Sequence, residues 1–138
     1  MVKEMEKEKN IFIINEIKNG NGKIREFDID GEYLKFEGEL SDGERNGKGK
    51  EYDENEKLKF EGEYLNDKKW NGKGYDKDGN KIYELNTGNG KVKEYTGNGI
   101  LIFEGEYIDG KWNRKGKEYD DNGKLIFEGE YLNGKKIN

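Results

Sequence analysis

Cysteine, histidine and proline are all absent from this chain of 138 residues. Without cysteine, the chain has no disulfide, no thiol nucleophile and no sulfur ligand for zinc. Without histidine, it lacks the commonest general acid–base group and the commonest metal ligand. These absences exclude many of the usual catalytic arrangements. We expect the protein to be no enzyme and to hold no cofactor or metal.

Hydrophobic residues are also scarce. They make up 30% of the chain and charged residues 41%, a balance close to that of disordered proteins. Against this, the chain has nine tyrosines, six phenylalanines and two tryptophans, and its 21 glycines are spread regularly. Such a composition does not supply a core of several layers. It is sufficient to cover one face of a thin sheet.

Charge of one sign is not concentrated anywhere in the chain. The formal net charge is −5, and acidic and basic residues are finely interleaved. Nucleic acids and anionic membranes both require a basic face, so we expect no nucleic-acid partner and treat a membrane lipid as a disfavoured alternative. The longest apolar run, residues 11–14, is far too short to span a membrane as a helix. We expect a cytoplasmic protein.

An internal repeat defines the domain organisation. The tripeptide Glu-Gly-Glu follows a phenylalanine four times, at residues 37–39, 61–63, 104–106 and 128–130. Longer stretches also match, since NGKGKEYDENEKLKFEGEYL at 46–65 corresponds to NRKGKEYDDNGKLIFEGEYL at 113–132. We expect residues 1–10 to form a charged N-terminal leader or cap. Residues 11–138 are expected to form a repeat array of about five units plus a partial sixth.

Alternation within the repeat predicts β-strands. In LKFEGEY at 58–64, the leucine, phenylalanine, glycine and tyrosine fall on one face and the charged residues on the other. This period of two is typical of a half-buried strand with a solvated back. Clusters such as NDKKWNG and DDNGK between the strands favour turns, because Asn, Asp and Gly tolerate positive φ. We predict an all-β fold: an elongated, single-layer antiparallel β-meander of repeated hairpins, with roughly ten to twelve strands.

The second strand of each unit, GKGKEY, leaves two arrangements open. Counting back from Tyr52, alternation places Lys50 and Lys48 on the apolar face. Either the lysine stems lie along the aromatic rings with their ammonium groups in water, or a β-bulge changes the phase.

The repeat resembles the MORN repeat, in the 23–24-residue variant of microbial and protist proteins. The resemblance rests on F-E-G-E-Y, a central N-G-K-G-K and a closing N-G-K, as in FEGELSDGERNGKGKEYDENEKL at 36–58 and FEGEYIDGKWNRKGKEYDDNGKL at 103–125. It covers residues 11–138. Arg114 replaces the first glycine of Gly-x-Gly, and GKGY at 72–75 lacks the following Lys-Glu, so we expect irregularities there.

The resemblance implies a twisted sheet with a shallow groove lined by aromatic residues and glycines. It further implies a non-catalytic scaffold for protein–protein interaction or self-association. Two alternatives remain: a contact for membranes or phosphoinositides, and a carbohydrate- or cell-wall-binding aromatic repeat. The residues expected at the groove are Phe36, Tyr52, Phe60, Tyr64, Trp70, Tyr83, Tyr95, Phe103, Tyr107, Trp112, Tyr119, Phe127 and Tyr131. The two tryptophans are expected either to cap the sheet edge or to form a hot spot for a partner.

Two acidic patterns suggest chemistry only weakly. DKDGN at 76–80 resembles the start of a calcium loop, but the twelfth position is Thr87 rather than glutamate, so we interpret it as a turn. Glu61 and Glu63 stand two apart on one strand, and the same pair recurs beside lysines in other units. We interpret these glutamates as members of cross-strand ion pairs rather than as catalytic groups.

The C-terminal segment suggests where a partner binds. The strand predicted at 125–132 is followed by NGKKIN and not by a full GKGKEY strand. We expect that strand to lack a hairpin mate and to expose unpaired backbone groups. Such an edge is a template for an unknown partner protein or for a second copy in a homodimer.

Overall fold

The computed structural model describes residues 5–6, 11–13 and 20–137, with side chains from residue 20 onward. These residues contain thirteen strands, and no helix among them could cross a membrane. The strands are β1 (Met5–Glu6), β2 (Ile11–Ile13), β3 (Gly22–Phe27), β4 (Leu34–Ser41), β5 (Glu44–Tyr52), β6 (Leu58–Leu65), β7 (Lys68–Tyr75), β8 (Lys81–Leu85), β9 (Gly90–Tyr95), β10 (Leu101–Ile108), β11 (Lys111–Tyr119), β12 (Leu125–Leu132) and β13 (Lys135–Ile137). The predicted all-β hairpin meander is confirmed, although the described residues contain more strands than the predicted ten to twelve.

The strand ladder is divided into two open antiparallel sheets. β1 to β8 form the first sheet in chain order, and β9 to β13 form the second. Among the described residues, β8 and β9 are joined by an isolated antiparallel bridge between Asn86 and Asn89 and not by a continuous ladder. The two sheets nevertheless share one core, because Leu85 of β8 and Val92 of β9 belong to the same buried cluster.

Tight two-residue turns connect β4 to β5, β6 to β7, β8 to β9, β10 to β11 and β12 to β13. Both central residues have positive φ, as in Asp42 (52°) and Gly43 (78°), which is the type I′ geometry that suits twisted hairpins. Tight turns also bond to the preceding hairpin, at its turn or at the start of its second strand. The N–H of Gly88 donates to the carbonyl of Trp70 at 2.7 Å, and the N–H of Gly110 donates to the carbonyl of Gly88 at 2.9 Å.

Aspartate-led loops close the hairpins at the opposite ends of the strands. Asp76 Oδ1 accepts hydrogen bonds from the N–H groups of Asp78 and Asn80, both at 2.9 Å. Asp53 and Asp120 make the same pair of bonds in their own loops. The segment 76–80 is therefore a turn. No group of three or more acidic side chains in the described residues is placed to hold a metal ion.

The buried core lies on one face of the ribbon. Phe36 and Phe60 are 0% exposed and Tyr64 is 3% exposed, in the phase that the alternation of FEGEY predicts. Glycine makes this packing possible. A Cβ added at Gly49 would lie 2.7 Å from the ring of Phe36, so only a bare backbone lets the ring lie flat across it.

The phase of GKGKEY follows from unbroken alternation in β5. Strand β6 has one residue more than β5 between the pairs Glu51–Phe60 and Tyr52–Leu58, so this β-bulge lies in β6 and leaves the alternation of β5 unchanged. Counting from Gly49, Lys50 and Tyr52 lie on the charged face and Glu51 lies on the side of the aromatic rings. The premise that Tyr52 shares the apolar face is therefore wrong, and the lysine stems do not lie on that face.

Both ends of the described chain add a short strand. The expectation that 125–132 lacks a mate is wrong, because β13 pairs with residues 130–132 after the tight turn at Asn133 and Gly134. The first five residues of β12 pair with β11 only, among the described strands. Near the N-terminus, β1 pairs with β2, and the rest of the expected leader lies outside the described residues.

Candidate functional site

The charged face of the ribbon, opposite the buried rings, contains two troughs. The first trough is lined by Lys23, Ile24, Glu37, Gly38, Glu39, Lys48, Gly49, Lys50, Glu61, Gly62 and Glu63. The second trough is lined by Ile82, Lys91, Val92, Lys93, Glu104, Gly105, Glu106, Lys115, Gly116, Lys117, Glu128, Gly129 and Glu130. Their volumes are about 610 and 550 Å³. The two troughs occupy equivalent places in the two sheets.

Glycines form the floor of each trough. In the first trough, Gly38 lies opposite Gly49, which lies opposite Gly62. The second trough repeats this row with the glycines 105, 116 and 129. Because glycine has no side chain, the row leaves a channel that crosses the strands and exposes main-chain atoms at its base.

Glutamates and lysines form the walls. Each of the strands β3 to β6 and β9 to β12 carries two like charges on this face, one on either side of its glycine, Ile24 or Val92, and the sign changes from each strand to the next. Cross-strand ion pairs join some of them, with Lys50 Nζ 3.5 Å from Glu61 Oε2 and Lys117 Nζ 3.6 Å from Glu128 Oε2. These side chains are 43–60% exposed, so the pairs contribute little to stability and remain accessible to a ligand.

Three of the expected groove residues, the tyrosines of the Lys-Glu-Tyr motifs, belong to this charged side. The hydroxyl of Tyr52 donates to Glu37 at 2.7 Å, and that of Tyr119 donates to Glu104 at 3.1 Å. Desolvation and the bond to the glutamate raise the pKa of Tyr52 to about 12. Tyr95 holds the equivalent register, opposite Leu101. The hydroxyls of Tyr52 and Tyr119 hold the wall glutamates Glu37 and Glu104 in place.

Most of the other expected groove residues pack on the aromatic face and are buried. The buried cluster contains Phe36, Phe60, Tyr64, Tyr83, Phe103, Tyr107 and Tyr131, with Phe127 packed against it. The rings contact one another along the ribbon, as in the edge-on pair Phe36–Tyr64, whose centroids are 5.2 Å apart. The structure therefore places these rings behind the trough floor, where they support it, and not in the trough.

Four residues in equivalent positions cover the phenylalanine rings on the aromatic face, and we call them the lid residues. The lid residues are Arg45, Lys69, Trp112 and Lys136, which lie opposite Leu40, Tyr64, Tyr107 and Tyr131 in the strand register. Arg45 lies 3.9 Å from the Phe36 centroid, and Lys136 lies 4.7 Å from that of Phe127. Cation–π contact thus completes the burial that a single-layer sheet cannot provide alone.

Carboxylates form ion pairs with the charged lid residues. Glu51 lies 3.2 Å from Arg45 and 3.1 Å from Lys69, and Glu26 lies 3.0 Å from Arg45. Burial alone would raise the pKa of Glu51, but the charges of Lys69 and Arg45 outweigh it and lower this pKa to about 2. In the second sheet, Glu118 accepts a short hydrogen bond from Tyr131 and pairs with a lid lysine.

The two tryptophans have different surroundings. Trp112 is stacked on Phe103, with centroids 4.3 Å apart, and its Nε1 donates to the hydroxyl of Tyr107 at 3.1 Å. Trp70 lies at the junction of the sheets, where a Cβ added at Gly88 would come within 2.7 Å of its ring. Both tryptophans are half-buried, so neither is a freely exposed platform.

Sequence reasoning missed the lid residues and the glutamates that hold them. The signal for the glutamates was present, because Glu51 stands two residues after Gly49 and alternation from that glycine puts both on one face. For the lids there was no repeated residue type to find. Arginine, lysine and tryptophan share the position, which stands nine residues after the phenylalanine of each FEGE, and the strand register confirms that these residues are equivalent.

Comparison with known proteins identifies a repeat family. A family model described as the MORN repeat variant matches residues 45–66, 88–109 and 115–133. Each matched segment contains two strands, the aspartate- or threonine-led loop between them and part of a trough. The match confirms the resemblance that the sequence predicts. Neither the curated proteins nor the solved structures give a match to the chain.

Proposed function

Because residues 45–66, 88–109 and 115–133 are MORN repeats of the variant type, we propose that this chain is a non-catalytic scaffold that binds a partner protein in the troughs of its charged face. MORN repeats in general contact proteins or membranes and are typically not catalytic. The observation that carries the proposal is the repeated trough. Two channels with the same glycine floor and the same charged walls stand at equivalent places in the two sheets.

The charge of the walls favours a protein over an anionic lipid headgroup. Each strand that supplies lysines to a trough lies beside a strand that supplies glutamates, as Lys48 and Lys50 lie opposite Glu63 and Glu61. A phosphorylated headgroup placed between the two lysines would therefore also meet carboxylates within one strand spacing. A polypeptide is able to present both signs of charge and suits such a surface better.

The burial of the rings counts against a carbohydrate ligand. Sugar-binding aromatic repeats require exposed rings on which the sugar stacks. Here Phe36 and Phe60 are 0% exposed and Phe103 is 2% exposed. The trough floor offers glycine backbone rather than an aromatic surface.

Site-specific cross-linking tests the proposal. A photoreactive amino acid is placed at Lys50 or Lys117 in the troughs, and at exposed Asp121 in a loop as the control. Cross-linked proteins from cells that express the chain are identified by mass spectrometry. We expect the two trough positions to capture the same partner and the loop position to miss it. Capture that is equal at all three positions would contradict the proposal.

Binding to the purified partner then completes the test. Lys50→Glu together with Lys117→Glu reverses the charge of one strand in each trough, and we expect at least tenfold weaker binding. The matched control, Lys57→Glu together with Lys124→Glu, reverses two exposed loop charges, changes the net charge by the same amount and should leave affinity unchanged. Equal affinity of all three proteins would place the interface outside the troughs.

Self-association at the C-terminal hairpin is a second candidate, favoured by exposed apolar side chains there. Ile126 is 59% exposed and Leu132 is 52% exposed, although β13 covers part of the strand edge. We propose that a second copy covers this surface. Light scattering should show a dimer at high micromolar concentration, and Ile126→Lys with Leu132→Lys should give a monomer. A monomeric unmodified chain would disprove this candidate.

A further inference from the structure

The wall charges are arranged in stripes that follow the strands. On the charged face around the first trough, two basic residues on β3 are followed by two acidic on β4, two basic on β5 and two acidic on β6; these are Lys23, Arg25, Glu37, Glu39, Lys48, Lys50, Glu61 and Glu63. All of them except Arg25 line the trough itself. In the second trough the order is the same over β9 to β12, with Lys91, Lys93, Glu104, Glu106, Lys115, Lys117, Glu128 and Glu130. A ligand lying along either trough meets basic and acidic strands in turn.

Sheet geometry fixes the period of these stripes. Neighbouring strands are about 4.8 Å apart, so stripes of the same sign recur about every 9.6 Å along the trough. The glutamate stripes on β4 and β6 are one such period apart, and those on β10 and β12 are another. A ligand that uses every glutamate stripe must therefore present basic groups at this interval.

One common backbone conformation has a matching repeat. A polyproline II helix has three residues per turn and rises about 3.1 Å per residue, so every third side chain returns to the same face after about 9.3 Å. An extended strand returns a side chain to one face after about 6.6 Å, which falls between stripes. Two turns of α-helix rise about 10.8 Å, and successive groups drift out of phase.

We propose that the troughs bind a polyproline II segment with a basic residue at every third position. This inference rests on the proposed function and specifies the partner. Each basic side chain lies between the two glutamates of an acidic stripe, for example Glu61 and Glu63. The intervening residues are small or neutral where they pass the lysine stripes. The glycine floor admits the ligand backbone close to the sheet.

The net charge of the protein and the exposure of its carboxylates favour a ligand of positive charge. The net charge of −5 attracts a basic segment at long range. The carboxylates are accessible, since the side chains of Glu61 and Glu128 are 47% and 60% exposed. Their pairs with Lys50 and Lys117 are half-exposed, so exchanging them for a ligand ammonium costs little.

Fluorescent peptides of equal length test the spacing. The first peptide has lysine at every third position, with proline and serine between. The second has the same composition, but its lysines stand at every second position over part of its length. The third has glutamate in place of the lysines of the first. Fluorescence anisotropy at low ionic strength measures their affinities for the full chain. We expect the first peptide to bind at least tenfold tighter than the second. The third should not bind.

A variant pair assigns the binding to the troughs. Glu61, Glu63, Glu128 and Glu130 are changed together to Gln. The control changes four exposed loop carboxylates to their amides, at Asp30, Glu32, Asp78 and Asp121. Both variants lose four charges, but only the first should lose more than fivefold in affinity for the first peptide. Melting curves establish that both are folded.

Each contrary result has a definite meaning. Equal binding of the two lysine peptides would reduce the effect to general charge attraction and overturn the inference. Tighter binding of the glutamate peptide would show that the troughs prefer an acidic ligand, and this would overturn the inference. If no peptide binds although cross-linking finds a trough partner, this inference fails and the proposed function stands. If the first peptide binds but the troughs capture no protein, the proposed function fails alone.

Discussion

Glu51 Oε2 lies 3.1 Å from the ammonium group of Lys69, and the other carboxylate oxygen lies 3.2 Å from the guanidinium of Arg45. One carboxylate thus joins two lid residues from neighbouring hairpins, over Phe36 and Phe60. The three charged side chains are only 15–22% exposed. A sheet with one layer closes its aromatic core with ion pairs where a sandwich would use a second sheet.

Glu51→Gln tests this closure. The change leaves Lys69 without its carboxylate and Arg45 with one carboxylate only, so we expect a loss of about 3 kcal/mol in the free energy of unfolding. Urea denaturation measures it. The control is Glu61→Gln, which breaks a half-exposed pair with Lys50 and should cost less than about 1 kcal/mol. Equal losses in the two variants would show that the Glu51 cluster is only surface charge.

The same cluster predicts a dependence on pH. The pKa of folded Glu51 is lowered from 4.5 to about 2. The stabilisation is therefore complete above pH 4.5 and is lost as the pH falls toward 2. The difference in unfolding free energy between the unmodified chain and Glu51→Gln should shrink across this window. A difference that stays constant down to pH 2 would refute the assignment.

Glu56→Gly should stabilise the protein. Glu56 has a φ of 58°, whereas the equivalent Gly123 has a φ of 80°, and glycine adopts this region without strain. We expect a gain of about 0.5–1 kcal/mol despite the lost bond from Leu34 N–H to Glu56 Oε1. The reciprocal change Gly123→Glu should lose a similar amount. Thermal melting of both variants measures the effect, and a loss for Glu56→Gly would contradict it.

Phe103→Ala should unfold much of the second sheet. Phe103 is 2% exposed, and its ring packs between the backbone of Gly105 and the ring of Trp112. Truncating a buried phenylalanine costs about 3–5 kcal/mol, and repeat arrays transmit such a loss to neighbouring units. Ile29→Ala, at a side chain that is 86% exposed, is the control. A loss below about 1 kcal/mol for Phe103→Ala would mean that the ring is not part of the core.

Liposomes carrying phosphoinositides should bind the chain weakly or not at all at physiological salt. The net charge is −5, and every lysine stripe in the troughs lies beside a glutamate stripe. Flotation with the quadruple glutamine variant described above is the informative control, because removing four carboxylates should increase binding. Saturable sub-micromolar binding of the unmodified chain would favour the membrane function instead.

The phase of the FEGEY strands could be predicted from the sequence because one residue type identifies each face. Phe60 and Tyr64 are apolar, Glu61 and Glu63 are charged, and a shift of one residue would bury the glutamates. The structure confirms that phase. The tight turns could also be predicted, because Asp-Gly and Asn-Gly suit paired positive φ values.

The closure of the core could not be predicted in the same way. The lid position holds arginine, lysine or tryptophan, whose common property is a flat or cationic group that packs on a ring. Each lid residue packs on the phenylalanine of its own unit, as Arg45 does on Phe36, but Glu51 joins this lid to Lys69 of the next unit, and that link is not visible in one repeat. The break between the two sheets could not be predicted from the sequence either. The segment NTGN at 86–89 has a good turn sequence, but the strands on either side of it are short, and an isolated bridge between Asn86 and Asn89 joins them.

The main-chain hydrogen bonds from a tight turn to the preceding hairpin restrict how such a protein evolves. The N–H of Gly88 donates to the carbonyl of Trp70 in the preceding hairpin, and its carbonyl accepts the N–H of Gly110 in the following turn. These are main-chain groups that every residue except proline possesses. A Cβ at Gly88 would lie 2.6 Å from Gly110 N, so this glycine must stay, whereas the bonds place no demand on the type of the neighbouring side chains. A duplication or deletion in the gene preserves the connection only when it adds or removes a strand pair with its turn. The length of the array changes in whole steps, and each new step inherits the geometry of the one before it.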